Sequence, residues 1–225
     1  MSNNLSLSYS FTPINNTTYV KYSNCNTNNY PTAQYNLSSS QQTPILLFTK
    51  TPNTNVDKYS SQYGVPFECV EIIRRILSTQ CNYTFPSVVD AEDMFYSVNI
   101  LYNITDNSTT VSLKTYQYPY GFYNENPNKK ILLYLKPGSL LFWEKTDDED
   151  FKYGHVAIVV SANNFHVTIA QQNRYPPIQT YKTTELIELI NSDDSQFLGI
   201  KVIPKNLSEF LSYKLKNIQI KHVDS

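Results

Sequence analysis

The stretch of sequence that decides the fold is GHVAIVVSANNFHVTIAQQN, residues 154–173. Two runs rich in β-branched residues, 155–160 and 165–170, flank the polar segment 161–164. Apolar runs of this length on either side of a short polar segment are typical of a β-hairpin. The sequence therefore predicts two antiparallel strands joined by a four-residue loop.

This hairpin brings His155 close to the residues that follow the second strand. The expected register places His155 opposite Ala170 or Gln171. In the second of these registers Gln171 shares a face of the sheet with His155, and Asn173 lies further along the same face. A side-chain amide at that place can accept a hydrogen bond from the imidazole N–H. His166 then faces the other way, as a structural or exposed histidine.

Upstream, the sequence changes to a helical periodicity after Pro66. Apolar residues recur at i, i+3, i+4, i+7 and i+8, the stripe of an amphipathic helix, at Cys69, Ile72, Ile73, Ile76 and Leu77. Pro66 suits a helix entrance and puts Cys69 in or just before the first turn. Unpaired N–H groups and the helix dipole stabilise a thiolate there, so Cys69 is a candidate nucleophile. The alternative is that Cys69 is a small core residue.

The remaining patterns predict an α+β domain. They indicate a helix at about 88–98 with Ser87 as its N-cap, loop or short strands over 99–130, a strand after the Pro137-Gly138 turn, a helix at about 183–190 and a strand at about 197–203. We expect a low-complexity N-terminal extension over 1–41, one domain over 42–215 and a C-terminal tail over 216–225.

Composition excludes several classes of function. The 225 residues carry a net charge of -1, and their Lys and Arg residues are scattered, which argues against a nucleic-acid partner. Three cysteines and three histidines form neither a disulfide framework nor zinc-ligand spacing, so we expect no metal. The N-terminus lacks the pattern of a secretion signal, and no apolar run approaches the roughly 18 residues of a membrane span. We therefore expect a cytoplasmic protein with no membrane partner.

Cys69 and His155 together suggest nucleophilic catalysis. A nucleophilic cysteine requires a base within hydrogen-bond reach, and the base requires a third group that orients it. His155 opens a strand directly after Gly154, at an edge where its side chain can reach a cleft. Gln171 supplies the orienting amide in the predicted register. Taken alone, His155 is equally well explained as an ordinary structural histidine.

Four linked segments resemble the CHAP family of cysteine, histidine-dependent amidohydrolases and peptidases: FECVEIIRR (67–75), PGSLLFW (137–143), GHVAIV (154–159) and IAQQN (169–173). Within that family the closest likeness is to the amidase domain of glutathionylspermidine synthetase/amidase and trypanothione synthetase/amidase. The resemblance implies a papain-like α+β fold without a cofactor, with Cys69 as nucleophile and His155 as general base and then acid. It implies as substrate a glutathionylspermidine-like amide of a peptide and a polyamine, or a peptidoglycan peptide.

Two positions depart from the pattern of those amidases. Gln171 stands where they have Glu, and Glu68 stands where they have Gln before the cysteine. An amide orients His155 but stabilises its cation less than a carboxylate does, so we expect reduced activity. A carboxylate aimed at a developing oxyanion opposes the reaction. We hypothesise that the two changes are paired, with Glu68 near His155; the alternative is that Glu68 points to solvent.

Arg74 matches an Arg of the family motif on the cysteine helix. It is a candidate for contacting an anionic part of the substrate or for bracing the site, and the alternative is a solvated surface arginine. Asn173 is a further candidate for a supporting role, because it shares the face of His155 and Gln171.

The first functional hypothesis is therefore a thiol amidohydrolase acting on a C–N amide bond. No cell-wall-binding repeat accompanies the motifs, which favours the small glutathionylspermidine-like substrate over peptidoglycan. The second hypothesis is a degenerate domain kept as a binding or virion-associated protein. Abundant Asn and Tyr are typical of an AT-rich genome, such as that of a large DNA virus or a protist, and a viral origin predicts packaging in the virus particle.

Overall fold

The computed structural model describes residues 11–14, 17–20, 45–50, 63–65, 68–106, 108–118, 127–147, 152–192 and 196–223. The strands are β1 (Phe11–Ile14), β2 (Thr17–Val20), β3 (Ile45–Lys50), β4 (Tyr83–Thr84), β5 (Ile100–Asn103), β6 (Thr110–Ser112), β7 (Lys114–Gln117), β8 (Leu140–Trp143), β9 (His155–Ala162), β10 (His166–Ala170), β11 (Ile178–Lys182), β12 (Phe197–Val202) and β13 (Ile218–Val223). The helices are α1 (Cys69–Cys81), α2 (Ala91–Ser97), α3 (Pro127–Tyr134), α4 (Thr183–Asn191) and α5 (Lys205–Lys214), and a 3₁₀ turn follows at Leu215–Asn217. None of these helices has the length and apolar character needed to cross a lipid bilayer.

An antiparallel sheet of six strands, in the order β11-β10-β9-β8-β12-β7, forms the centre of the fold. Successive side chains of a strand point to opposite faces, so β9 contributes to two cores. Val156 and Ile158 belong to the core that includes α1 and α2. Ala157 and Val159 belong to the core that includes α3 and α4. The α+β class is confirmed, with the cysteine helix packed on the sheet that carries the histidine.

The apolar stripe of α1 determines where Cys69 lies. Ile72, Ile73 and Ile76 are fully buried, as the periodicity predicts. Burial of each such side chain contributes about 1.5–3 kcal/mol, which holds the helix against β9. The helix begins at Cys69, whereas the predicted entrance residue Pro66 lies outside the described residues. The nucleophile candidate is therefore fixed at the end of a well-packed element.

The predicted register of the central hairpin is wrong by two or more residues. Ile169 pairs with Val159 and Ala170 with Ile158, and an irregularity between Thr168 and Ile169 shifts the pairing. The turn also lies later than predicted, because the Asn163 side-chain oxygen accepts hydrogen bonds from the backbone N–H groups of both Phe165 and His166, at 2.8 and 2.9 Å. β9 therefore continues to Ala162.

As a result, the ladder ends before it reaches His155, and Gln171 approaches His155 from beyond the end of β10. His166 pairs with Lys182 of β11 and is exposed, in agreement with one of its two expected roles.

Other predicted elements also have adjusted bounds. The second helix begins at Ala91 rather than near residue 88, because Asp90 and not Ser87 is its N-cap and accepts from the Asp93 N–H at 2.8 Å. The segment 99–130 contains the short strands β5, β6 and β7, but helix α3 begins within it at Pro127, where the sequence predicted loop or strand. Within the predicted C-terminal tail, β13 pairs in parallel with β3. Within the predicted N-terminal extension, β1 pairs with β2.

Candidate active site

Cys69 is the first residue of α1, and its side chain is buried. Burial raises the pKa of the Cys69 thiol to about 12, although hydrogen bonds from backbone N–H groups, chiefly that of Val156, oppose the increase. The negative charge of Glu68 raises the pKa further. The thiol is therefore protonated at neutral pH, and its contact with the Val156 N–H places the sulfur against the start of β9.

His155 is the first residue of β9 and is also buried. Burial lowers its pKa from 6.5 to about 4, and the positive charge of Arg174 lowers it further, whereas the hydrogen bond with Gln171 acts in the opposite direction. The ring of Trp143 lies 5.7 Å from the imidazole, centroid to centroid. His155 is therefore neutral at pH 7 and available as a base.

The hydrogen bonds of the Gln171 side chain determine which ring nitrogen of His155 carries the proton. Its Nε2 donates to the carbonyl oxygen of Pro176 at 2.9 Å, so its Oε1 is the atom that lies 3.0 Å from His155 Nε2. A carbonyl oxygen can only accept, so Nε2 of His155 carries the proton. Nδ1 is then the basic nitrogen of the ring.

One cavity of about 410 Å³ is lined by both Cys69 and His155. The side chains of Val65, Val89 and Tyr153 line the same cavity and are mostly exposed, at 68%, 86% and 60% of their surface. Exposed apolar side chains around a few polar groups are typical of a ligand-binding cleft. The structure thus brings the two predicted catalytic side chains to one accessible cleft.

Glu68 is held by Asn173 at this cleft. Asn173 Nδ2 donates to Glu68 Oε2 at 2.9 Å, and Asn173 has a φ of 64°, a conformation that Asn adopts more readily than most residues. Glu68 is therefore hydrogen-bonded at the cleft, in a contact that is itself exposed to solvent. Glu68 and His155 line the same cavity, although the amide that contacts the imidazole is that of Gln171.

Arg74 lines the same cavity. It is buried and donates to the carbonyl oxygens of Tyr63 at 2.7 Å and Pro86 at 2.8 Å. Its guanidinium also lies 4.6 Å from the ring centre of Phe85. The alternative of a solvated surface arginine is therefore wrong.

Sequence reasoning missed a buried polar network beside the cysteine. The side chain of Gln172 is fully buried and contacts both Glu71 and Arg75, which form an ion pair at 2.8 Å. The i, i+4 spacing of Glu71 and Arg75 on a helix predicts that ion pair from the sequence alone. The contact with Gln172 spans about a hundred residues and had no local signal.

The arrangement suits nucleophilic attack assisted by a general base. A neutral thiol and a neutral imidazole share a cleft, and the first N–H groups of α1 are suited to stabilise a developing oxyanion. In the described part of the chain, no group of three His, Cys, Asp or Glu side chains converges in a way that can hold a metal ion.

The fold and this pair of side chains define a class, the papain-like cysteine hydrolases, in which a helix carries the Cys and the sheet carries the His. Comparison with known families makes the assignment specific: the CHAP domain model matches residues 58–173, just over half of the chain. The chain belongs to the CHAP domain family, whose members are generally amidases and peptidases.

Other comparisons add little to this assignment. No curated protein matches the chain significantly. Among solved structures, "The crystal structure of Ly7917" is similar with 15% sequence identity and a TM-score of 0.34, over 62% of this chain and 54% of that one. This chain therefore matches about half of the length of that protein.

Proposed function

We propose that this CHAP domain is a cysteine-dependent amidohydrolase. The observation that supports it best is the hydrogen bond between Gln171 Oε1 and His155 Nε2, which leaves the basic Nδ1 for the thiol in the cleft that both residues share with Cys69. Gln171 is the orienting residue in this proposal, while Arg74 and Asn173 support the cleft.

The proposed reaction passes through an acyl-enzyme. Nδ1 of His155 takes the thiol proton as Cys69 Sγ bonds to the carbonyl carbon, and the carbonyl electrons move to oxygen. The tetrahedral intermediate collapses, the C–N bond breaks, and the imidazolium gives its proton to the leaving amine. Water then attacks the thioester, again with His155 as base, and releases the acid and the free thiol.

For the substrate, we infer an amide of the peptide type, and two candidates compete. The motif resemblance favours a glutathionylspermidine-like conjugate, and the wider family favours a peptidoglycan peptide. A cavity of about 410 Å³ accommodates a few residues of either substrate around the scissile bond.

The experiment is to incubate the purified protein with glutathionylspermidine and, separately, with muropeptides. Mass spectrometry identifies the released amine, spermidine from the first and a stem-peptide fragment from the second. Cys69→Ala and His155→Ala are expected to abolish release, and Cys81→Ala, at the far end of the same helix, is the matched control that retains it. Release that persists in Cys69→Ala contradicts the proposal.

A second candidate is a CHAP domain that binds such an amide without cleaving it. The observation in its favour is the pKa of Cys69, which burial raises to about 12 with a further increase from Glu68. This candidate predicts no release of amine and no acyl-enzyme in intact-mass spectra, together with equal affinity of wild type and Cys69→Ala for the substrate.

A further inference from the structure

Three consecutive side chains at the end of β10 have three different partners. Gln171 contacts His155, and Asn173 contacts the side chain of Glu68. Gln172, between them, contacts the cysteine helix. Its Nε2 donates to Glu71 Oε2 at 2.9 Å and to the Glu68 carbonyl oxygen at 3.2 Å, and its Oε1 accepts from Arg75 Nη2 at 3.2 Å.

These contacts leave Gln172 with one orientation. An amide nitrogen can donate two hydrogen bonds, and here one is directed to Glu71 of α1 and the other to Glu68, the N-cap of that helix. Gln172 is completely buried and Glu71 almost so, which makes an unmade hydrogen bond costly. The two residues that receive these bonds, Glu68 and Glu71, flank Cys69 in the sequence.

Arg75 extends the same network to a further strand. Its Nε donates to Glu71 Oε1 at 2.8 Å, and its Nη1 donates to the Leu46 carbonyl oxygen of β3 at 2.6 Å. The first turns of α1 are therefore connected through polar groups to β3 as well as to the end of β10.

We propose that Gln172 is a positioning residue that fixes the separation of the Cys69 sulfur from His155 Nδ1. The backbone of Gln171 and Gln172 joins the residue that orients the imidazole to the residue that holds the cysteine helix. Misplacement of reacting groups by about 1 Å can lower a rate by about a hundredfold, so the link matters for catalysis. This inference rests on the proposed function, because the separation matters only if Cys69 reacts with the help of His155.

The pH profile of Cys69 alkylation by iodoacetamide tests the proposal without a substrate. Where His155 assists the thiol, the alkylation rate constant is independent of pH between about pH 6 and 9, which we call the plateau. Where it does not, the rate constant follows thiol ionisation and increases about tenfold per pH unit. We expect a rate constant that is independent of pH in this range for the wild type. In His155→Ala and in Gln172→Leu we expect it to increase about tenfold per pH unit instead. We also expect kcat for the amide substrate to fall about 10- to 100-fold with little change in KM.

The matched control is Ser208→Ala. It removes from α5 the partly buried hydrogen bond that the Ser208 hydroxyl donates to the Pro137 carbonyl oxygen at 2.7 Å. It is expected to lower stability and to keep the plateau. A folded Gln172→Leu that keeps both the plateau and kcat overturns the positioning role while leaving the proposed function intact. A wild-type plateau without hydrolysis of any amide refutes the proposed function only, and a wild type without a plateau refutes both.

If Gln172→Leu does not fold, the proposal is tested by exchanging the amide and the carboxylate between positions 172 and 71. Gln172→Glu sets two carboxylates against each other and is expected to lose the plateau. Adding Glu71→Gln restores the hydrogen bond between an amide and a carboxylate at these two positions, but not the bond to the Glu68 carbonyl oxygen, and is expected to recover part of the plateau. A folded double variant without recovery overturns the proposal.

Discussion

The Oε1 atom of Gln171 lies 3.0 Å from Nε2 of His155, where a neutral amide rather than a carboxylate contacts the imidazole. An amide orients the ring but does not compensate a positive charge on it. Burial therefore determines the protonation of His155, and its pKa falls to about 4. The resting site holds a neutral thiol and a neutral imidazole in one cleft, and proton transfer has to accompany the attack.

Gln171→Glu tests this account of the imidazole. A carboxylate in contact with the ring favours its cation, so we expect the pKa of His155 to increase from about 4 towards 6.5. The measurement is the pH titration of the imidazole ring signals by NMR. Gln117→Glu, an exposed change on β7 at the other edge of the sheet, is the control and should leave the titration unchanged. An unchanged His155 titration in Gln171→Glu contradicts the account.

Glu68→Gln tests the effect of the neighbouring charge on the thiol. Glu68 raises the pKa of Cys69, so its removal is expected to lower that pKa. In the His155→Ala background, where alkylation follows thiol ionisation, Glu68→Gln is expected to increase alkylation of Cys69 at pH 9 by about three- to tenfold. The new side chain can still accept from Asn173, which preserves the local contact. The comparison is site-resolved alkylation against Glu188→Gln, an exposed change on α4.

The hypothesis that Glu68 and Gln171 form an exchanged pair is tested with the same variants. If the positions are paired, the double variant Glu68→Gln/Gln171→Glu is expected to have higher amidase activity than either single variant. Activity unchanged in Glu68→Gln and improved in no swap contradicts the pairing.

The sequence predicted the main positions of the site because each depends on a local pattern. The stripe of α1 fixed Cys69 at a helix end, and the two apolar runs fixed His155 at the start of a strand. Gln171 was identified although the register was wrong, because a long side chain beyond the strand end still reaches the imidazole. The role of Gln172 was not predictable, since its partners Glu71 and Arg75 are distant in sequence and only the packed fold brings them together.

The burial of the site was also beyond sequence reasoning. A cysteine at a helix N-terminus predicts a low thiol pKa, but that rule assumes the N–H groups dominate. In the fold the cost of desolvation is larger, and it raises the pKa of Cys69 while lowering that of His155. Both changes depend on how completely α1 and β9 cover the pair.

The low pKa of His155 predicts acid sensitivity of the fold. The native imidazole remains neutral down to about pH 4, whereas an unfolded chain binds a proton at about 6.5, so stability is lost as the pH falls through this window. The expected loss from this residue is about 3 kcal/mol between pH 7 and pH 4. Urea unfolding at both pH values should show a smaller loss in His155→Gln. His166→Gln, at an exposed site, is the control and should behave like wild type.

Lys201 predicts a gain of stability in alkali. Its side chain is fully buried on β12, with Nζ donating to Thr115 Oγ1 at 2.8 Å and Asn99 Oδ1 at 3.1 Å, and burial lowers its pKa to about 8. The native amine releases its proton near pH 8 and the unfolded amine near 10.5, so this group increases stability as the pH rises between these values.

In Lys201→Met this increase should disappear. The free energy of unfolding at pH 7 should be higher by about 1 kcal/mol, because no charge is buried and the thioether packs on the ring of Phe95. Thr115 Oγ1 remains 3.3 Å from Asn99 Oδ1, so the two partners of the amine keep a hydrogen bond to each other. Urea unfolding at pH 7 and pH 10 measures the effect, with the exposed Lys114→Met on β7 as the control. A variant that is less stable than wild type at pH 7 and keeps the increase towards pH 10 shows that the buried amine is not the titrating group.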